Sequence, residues 1–123
     1  MMYTDLLGVR FKPHGRSKTE GYDCYGVAIE VLKRNGLTMP DVYYSSLKQD
    51  DDWWNDFNSH FRKIDKPEEN CIVEISSYSQ KRGHIAVYIG NGMIIHSMIK
   101  TGVCIEKLSH YEHKIEGYYR VTD

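Results

Sequence analysis

The sequence predicts an α+β fold in which N-terminal helices pack on a C-terminal antiparallel β-sheet of about five strands. Helical periodicity occurs only before Pro67, and short apolar runs separated by turn residues fill the rest of the chain. Helices followed by a series of strands are typical of an antiparallel sheet that is covered by helices.

The size and composition of the chain fit one soluble domain, which we take to span residues 1–123. There are 16 Lys and Arg against 17 Asp and Glu, and 41% of the residues are hydrophobic. A chain of this length can bury a core without disulfides or a structural metal. The near-zero net charge argues against a nucleic-acid partner.

We expect no membrane partner, no metal and no cofactor. The longest apolar runs are far shorter than the roughly 18 residues that cross a bilayer. No signal peptide is recognised, so we expect synthesis in the cytoplasm. The three cysteines lack the CxxC spacing of zinc or redox sites, which indicates reduced thiols.

The clearest helix begins after Asp23, which can cap its N-terminus. Apolar residues recur at i, i+1, i+4 and i+5 from Val27 to Leu32, and Gly36 follows as a terminator. This helix places Cys24 in its first turn.

A second helix is predicted from about residue 51 to 63, because carboxylates precede aromatic residues spaced by three, four and seven or eight between Trp53 and Phe61. The strands follow, separated by turn residues such as Asn91-Gly92. We predict them at about 71–75, 84–89, 93–98, 103–107 and 115–121.

Cys24 is a candidate nucleophile. The unpaired N–H groups of a helix start lower the pKa of a thiol and can stabilise an oxyanion on an attacked carbonyl. The alternative is that Cys24 is a small packing residue, which is the commoner role of a lone helical cysteine.

His84 and His96 lie on consecutive predicted strands and could complete a thiol triad with Cys24. The hairpin between them decides whether they can meet. A two-residue loop, Asn91-Gly92, pairs Val87 with His96 and sends the two imidazoles to opposite faces. A three-residue loop that begins at Gly90 pairs Ala86 with His96, so that both imidazoles share one face. Glycine suits the third position of that loop, so the triad hypothesis predicts the three-residue loop and a shared face.

These segments resemble the NlpC-type cell-wall cysteine peptidases. Residues 21–26, GYDCYG, resemble the family's G-[FY]-D-C-S-G element. Residues 84–92, HIAVYIGNG, resemble its H-V-[GA]-[IV]-Y-[IL]-G-[ND]-G hairpin, and residues 95–97, IHS, resemble the I-H-[AS] that follows. Residues 7–16, 23–26 and 36–40 are especially similar to the branch found in phage tail proteins and prophages.

The resemblance implies a reduced papain-like fold and a metal-free peptidase. It implies that Cys24 is the nucleophile, His84 the general base and His96 the residue that orients His84. The implied substrate is the peptidoglycan stem peptide, cut between D-γ-glutamate and a diamino acid. Phage tail proteins are possible partners, with delivery in the virion tail or release by lysis.

Five further residues are candidates for substrate binding. Arg16 lies in the loop before Cys24 and could meet a substrate carboxylate, and Asp23 adjoins the nucleophile. Tyrosine suits a wet cleft because its ring packs while its hydroxyl meets water or ligand. The complete set is Arg16, Tyr22, Asp23, Tyr25 and Tyr88.

Two other functions stay open from the sequence. One is a phage tail-assembly or murein-binding module that keeps the fold with little activity. The other is a thiol acyltransferase or amidase that acts on another small substrate, although permuted enzymes of that kind place the histidines before the cysteine.

Overall fold

The computed structural model describes residues 2–41, 60–76 and 84–121. These ranges contain one α-helix, a six-stranded antiparallel sheet and a two-stranded sheet, which confirms the α+β class. The helix is α1 (Cys24–Arg34). The strands are β1 (Arg16–Ser17), β2 (Gly21–Tyr22), β3 (Phe61–Ile64), β4 (Ile72–Ile75), β5 (His84–Gly90), β6 (Met93–Met98), β7 (Gly102–Lys107) and β8 (Ile115–Val121).

The large sheet has the strand order β3-β8-β4-β5-β6-β7. Three strands that are consecutive in the chain, β5, β6 and β7, are therefore also neighbours in the sheet. Each pairs antiparallel with the next. Side chains from these three strands can thus form one continuous row across a sheet face.

Helix α1 begins as predicted, because the Asp23 carboxylate accepts a hydrogen bond of 2.7 Å from the Gly26 amide. Its buried residues pack against the sheet. Beyond its end, Gly36 takes a φ of 77°, a conformation that glycine adopts without steric cost. Among the described residues, no helix is both long enough and apolar enough to cross a membrane.

The prediction of a second helix over residues 51–63 is wrong for its last part, and residues 51–59 lie outside the described ranges. Phe61–Ile64 forms β3, in which Phe61 pairs with Val121 of β8. Aromatic spacing within one segment does not reveal a partner that is distant along the chain. With β3 added, the large sheet has six strands rather than about five.

The β5–β6 hairpin combines features of the two alternatives. Gly90 pairs with Met93, so the loop is the two-residue Asn91-Gly92, with positive φ at both residues as a type I′ turn requires. The register then shifts between Tyr88 and Gly90, and Val87 pairs with Ile95. This β-bulge reverses the side-chain parity. The prediction of a three-residue loop is therefore wrong. The pairing beyond the bulge, Val87 with Ile95, is nevertheless the pairing that a three-residue loop would give.

The two faces of the sheet are packed differently. One face lies under α1 and contributes Ile85, Val87 and Ile95 to the main core. The opposite face carries a second cluster that includes Ala86 and Ile94. Because side chains alternate along a strand, His84 and His96 belong to this second face.

The start of α1 is held by a close approach between two glycines. A Cβ placed on Gly26 would lie 2.1 Å from the carbonyl oxygen of Gly15, and one on Gly15 would lie 2.2 Å from the carbonyl oxygen of Gly21. The loop before the helix therefore contacts the first turn backbone to backbone, next to Cys24. Only glycine leaves room for this contact.

Gly26→Ala should destabilise the protein by about 2 kcal/mol or more, because a methyl group is forced against the Gly15 carbonyl. Helix propensity alone predicts the opposite sign, a gain of about 1 kcal/mol. Urea unfolding followed by far-UV circular dichroism measures the change. Lys33→Ala, on the exposed side of the same helix, is the control and should change stability by less than about 0.5 kcal/mol. A Gly26→Ala variant that is more stable than the parent would contradict the contact.

Candidate active site

Cys24 is the first residue of α1 and is only 5% exposed. Burial raises the pKa of its thiol to about 12, although the backbone amides of Ile85 and Tyr25 donate toward the sulfur and favour the thiolate. The expectation that the helix start lowers this pKa is therefore wrong, because loss of solvation outweighs the amides. The contact with the Ile85 amide places the thiol at the beginning of β5, the strand whose first residue is His84.

The two histidines are in direct contact. His84 Nε2 lies 3.0 Å from His96 Nδ1, and the ring centroids are 5.2 Å apart. The expectation that both imidazoles share a sheet face is confirmed. The bulge in β5 is the physical reason, since it moves His84 to the side of the sheet that His96 occupies.

Both imidazoles are uncharged at neutral pH. Burial, together with the neighbouring His96, lowers the pKa of His84 to about 3. Burial also lowers the pKa of His96, against an opposing effect of Glu106. The resting site thus contains a thiol and a neutral imidazole, so proton transfer to His84 must accompany attack by the sulfur.

Glu106 and Tyr111 continue the row of contacting side chains that starts with His84 and His96. His96 Nε2 lies 3.1 Å from Glu106 Oε2, and the Tyr111 hydroxyl donates a hydrogen bond to the same oxygen. The Tyr111 ring also meets the His96 ring edge-on, with centroids 5.6 Å apart. Sequence reasoning missed both residues.

The position of Glu106 follows from the strand register. His96 pairs with Cys104, and Glu106 lies two residues further along β7, so it is a diagonal neighbour of His96 on the same face. Extending the predicted hairpin pairing from β6 to β7 would have found it. Tyr111 gave no such signal, because it lies in the 3₁₀ turn Leu108–Tyr111 after the strand.

Cys104 adds a third potential metal donor beside this row. Its sulfur, a ring nitrogen of His96 and a Glu106 oxygen all lie within 4.8 Å of one another. His96 Nε2 is already hydrogen-bonded to Glu106 Oε2, and a metal held by this pair would have to break that hydrogen bond. The arrangement fits a hydrogen-bonded row of side chains better than a metal centre.

Arg16 and Asp23, which the sequence suggested for substrate binding, are bonded to each other. The Arg16 guanidinium lies 2.8 Å from Asp23 and 3.1 Å from Asp41. Asp23 is 2% exposed and also accepts from the backbone amides of His14 and Gly26. These contacts hold the start of α1 in place. A role in substrate binding stays a prediction for both residues.

The three candidate tyrosines have different settings. Tyr22 and Tyr25 are at most 2% exposed, and the Tyr25 hydroxyl donates to the Pro40 carbonyl at 2.7 Å. Tyr88 is partly exposed and its hydroxyl accepts from the Gly92 amide at 2.9 Å. Tyr22 and Tyr25 thus support the core around Cys24 in this structure, and substrate contact by any of the three stays a prediction.

Comparison with known proteins decides the family. The model of the NlpC/P60 family matches residues 8–119, which include Cys24, both histidines and Glu106. The chain belongs to the NlpC/P60 family. This family consists of cysteine peptidases.

Curated relatives of this NlpC/P60 domain include two cell-wall enzymes. The probable peptidoglycan endopeptidase LytE of Bacillus subtilis is 30% identical over 108 residues, covering 85% of this chain and 28% of LytE. The murein DD-endopeptidase MepS/murein LD-carboxypeptidase of Escherichia coli K12 is 29% identical over 108 residues, covering 87% of this chain and 52% of MepS. The domain therefore spans at most about half the length of these relatives.

Solved structures share the fold. An NlpC/P60 family protein from Bacillus cereus superposes with a TM-score of 0.70 at 24% identity, covering 96% of this chain and 37% of that one. NlpC2 from Trichomonas vaginalis gives a TM-score of 0.72 at 17% identity, covering 98% and 44%. The NlpC/p60 domain of the peptidoglycan hydrolase SagA gives 0.61 at 15% identity, covering 96% and 90%. The reduced papain-like fold expected from the sequence is thereby confirmed.

Proposed function

We propose that this NlpC/P60 domain hydrolyses amide bonds in peptidoglycan stem peptides with Cys24 as nucleophile, His84 as general base and His96 as the residue that orients His84. The observation that carries the proposal is the 3.0 Å contact between His84 and His96 at the end of the sheet where the Ile85 amide contacts Cys24. The peptidoglycan enzymes among its relatives supply the substrate class.

The reaction follows from these positions. The Cys24 sulfur attacks the amide carbonyl carbon while His84 takes the thiol proton. His84 then gives that proton to the departing amine as the C–N bond breaks, which leaves a thioester on Cys24. Water then gives a proton to His84 and attacks the thioester carbonyl carbon, and the C–S bond breaks to release the new carboxylic acid. The protonated His84 returns its proton to the Cys24 sulfur, which restores the thiol and the neutral imidazole. Backbone amides at the start of α1, including that of Cys24, are suited to hold the oxyanion.

For the scissile bond we propose D-γ-glutamate to the diamino acid at the third position of the stem peptide. This part of the proposal rests on the sequence resemblance. The MepS relative is named for DD-endopeptidase and LD-carboxypeptidase activities, which are the alternatives that a test must separate.

Defined murein peptides and mass spectrometry of the products test the function. A tetrapeptide with diaminopimelate or lysine at the third position should yield L-Ala-D-γ-Glu and the diamino acid joined to D-Ala. Release of the terminal D-Ala alone, or opening of a cross-linked dimer between its two stems, would reject the proposed bond. A folded protein that leaves every peptide intact would reject the hydrolase function.

We propose separately that the domain is delivered with a phage tail or after lysis, with tail proteins as partners. The sequence similarity of residues 7–16, 23–26 and 36–40 to the phage branch supports this. Stable co-purification with tail proteins, which persists in high salt, is the expected result. A domain found only free of virions would oppose delivery in the tail and favour release by lysis.

A further inference from the structure

The contacts around His96 determine the order of hydrogen-bond donors and acceptors from Glu106 through His96 to His84. An ionised carboxylate only accepts hydrogen bonds, so His96 Nε2, at 3.1 Å from Glu106, must carry the hydrogen of that bond. Since His96 is uncharged, its Nδ1 is then a bare acceptor. It can only receive a hydrogen from His84 Nε2, which lies 3.0 Å away.

This order also decides which nitrogen of His84 can accept a proton in the reaction. A neutral imidazole has one hydrogen, and in this order it sits on Nε2. His84 Nδ1 is thus left bare and can accept the Cys24 proton. In the reversed order, His96 Nδ1 donates to His84 Nε2, and His84 carries its hydrogen on Nδ1, where it cannot act as a base.

The contact between two neutral imidazoles does not choose between these orders, since each ring can donate or accept. Glu106 removes this ambiguity because it accepts at one end of the row. Tyr111 strengthens the choice by donating to the same oxygen. Burial and the bond to Glu106 raise the pKa of the Tyr111 hydroxyl, which therefore keeps its proton and remains a donor.

We propose that Glu106 is a positioning residue that fixes the tautomers of His96 and His84, so that His84 Nδ1 is free to take the Cys24 proton. Tyr111 holds the Glu106 carboxylate against His96. This inference rests on the proposed roles of Cys24 and His84. It adds two residues, from β7 and the turn after it, to the three that the sequence indicated.

Glu106→Gln is the sharpest test because it keeps the shape and removes the charge. The amide can present either its oxygen or its NH₂ group to His96, and the second choice stabilises the reversed order. In serine hydrolases, an amide in place of the carboxylate that orients the histidine lowers kcat by about 10⁴-fold. Glu106 acts on the base His84 only through His96, so we expect a smaller loss, about 10- to 100-fold in kcat, with little change in KM.

The tautomers can be read without any substrate, by ¹⁵N NMR of the histidine side chains, with His84→Asn and His96→Asn used for assignment. The native protein should show both rings with hydrogen on Nε2 at neutral pH. Glu106→Gln should add a population with hydrogen on Nδ1 in both rings. Tyr111→Phe should keep the native tautomers and lose less activity. Glu116→Gln, at an exposed position on β8, is the matched control and should change neither tautomers nor kcat.

Two outcomes would overturn the inference. One is hydrogen on Nδ1 of His84 in the native protein, and the other is a Glu106→Gln variant with native tautomers and native kcat. Alkylation of Cys24 by iodoacetamide, followed by peptide mass spectrometry, gives a second readout independent of murein, and Glu106→Gln should slow it. If no murein peptide is cleaved while tautomers and alkylation behave as stated, the proposed substrate is wrong and the role of Glu106 stands.

Discussion

Cys24→Ala should abolish hydrolysis of murein stem peptides while the fold persists. We expect kcat to fall by about 10³-fold or more, because no other group on the first turn of α1 can form the thioester. The stability should change by less than about 1 kcal/mol, since the substitution removes one sulfur atom and keeps the helix. Product formation by mass spectrometry and urea unfolding measure the two effects separately.

Cys71→Ala is the matched control for this substitution. Cys71 is also buried, but it belongs to the second core cluster with Val73 and Ile75. Its loss should leave kcat unchanged. If Cys24→Ala retained the parent activity, Cys24 would be a packing residue, which is the alternative that the sequence left open.

Identical substitutions at the two histidines should have unequal effects. His84→Asn removes the base and should lower kcat by about 10³- to 10⁴-fold. His96→Asn should cost about 10- to 100-fold, because an asparagine oxygen placed near the former Nδ1 can still accept the hydrogen of His84 Nε2. Alanine at the two positions should give the same ranking.

Steady-state kinetics on one stem peptide measures both variants, with the far-UV circular dichroism of each compared to the parent. His96 is fully buried, so the asparagine variant is preferred to alanine, which leaves a cavity. A greater loss in His96→Asn than in His84→Asn, with both variants folded, would mean that the base and the orienting residue are interchanged.

Features that depend on neighbouring residues were predictable from the sequence. All the signals for α1 lie within one short segment of the chain: the Asp23 cap, the apolar spacing and Gly36 beyond the end. The structure contains all three. The strands after Pro67 were predictable for the same reason, since alternation and turn residues mark them locally. The predicted bounds of β6 and β8 agree with the structure.

Features that depend on a distant partner were not predictable in this way. Phe61–Ile64 is a strand because β8 pairs with it, whereas its own aromatic spacing also fits a helix. The Gly15–Gly26 contact joins a loop to a helix turn, and glycine in a sequence does not reveal what it touches. Contacts of this kind are a property of the packed chain.

By itself, the sequence determined the fold class, the family resemblance and the candidate roles of Cys24, His84 and His96, because order and spacing along the chain carry that information. Only the tertiary structure decided how the site is arranged. A bulge in β5, not the loop length, brings the two imidazoles to one face. Burial makes the resting thiol neutral, and Glu106 reaches His96 from the next strand. Solvation and cross-strand contact arise only when the chain is packed, which is why these properties could not be obtained from local pattern.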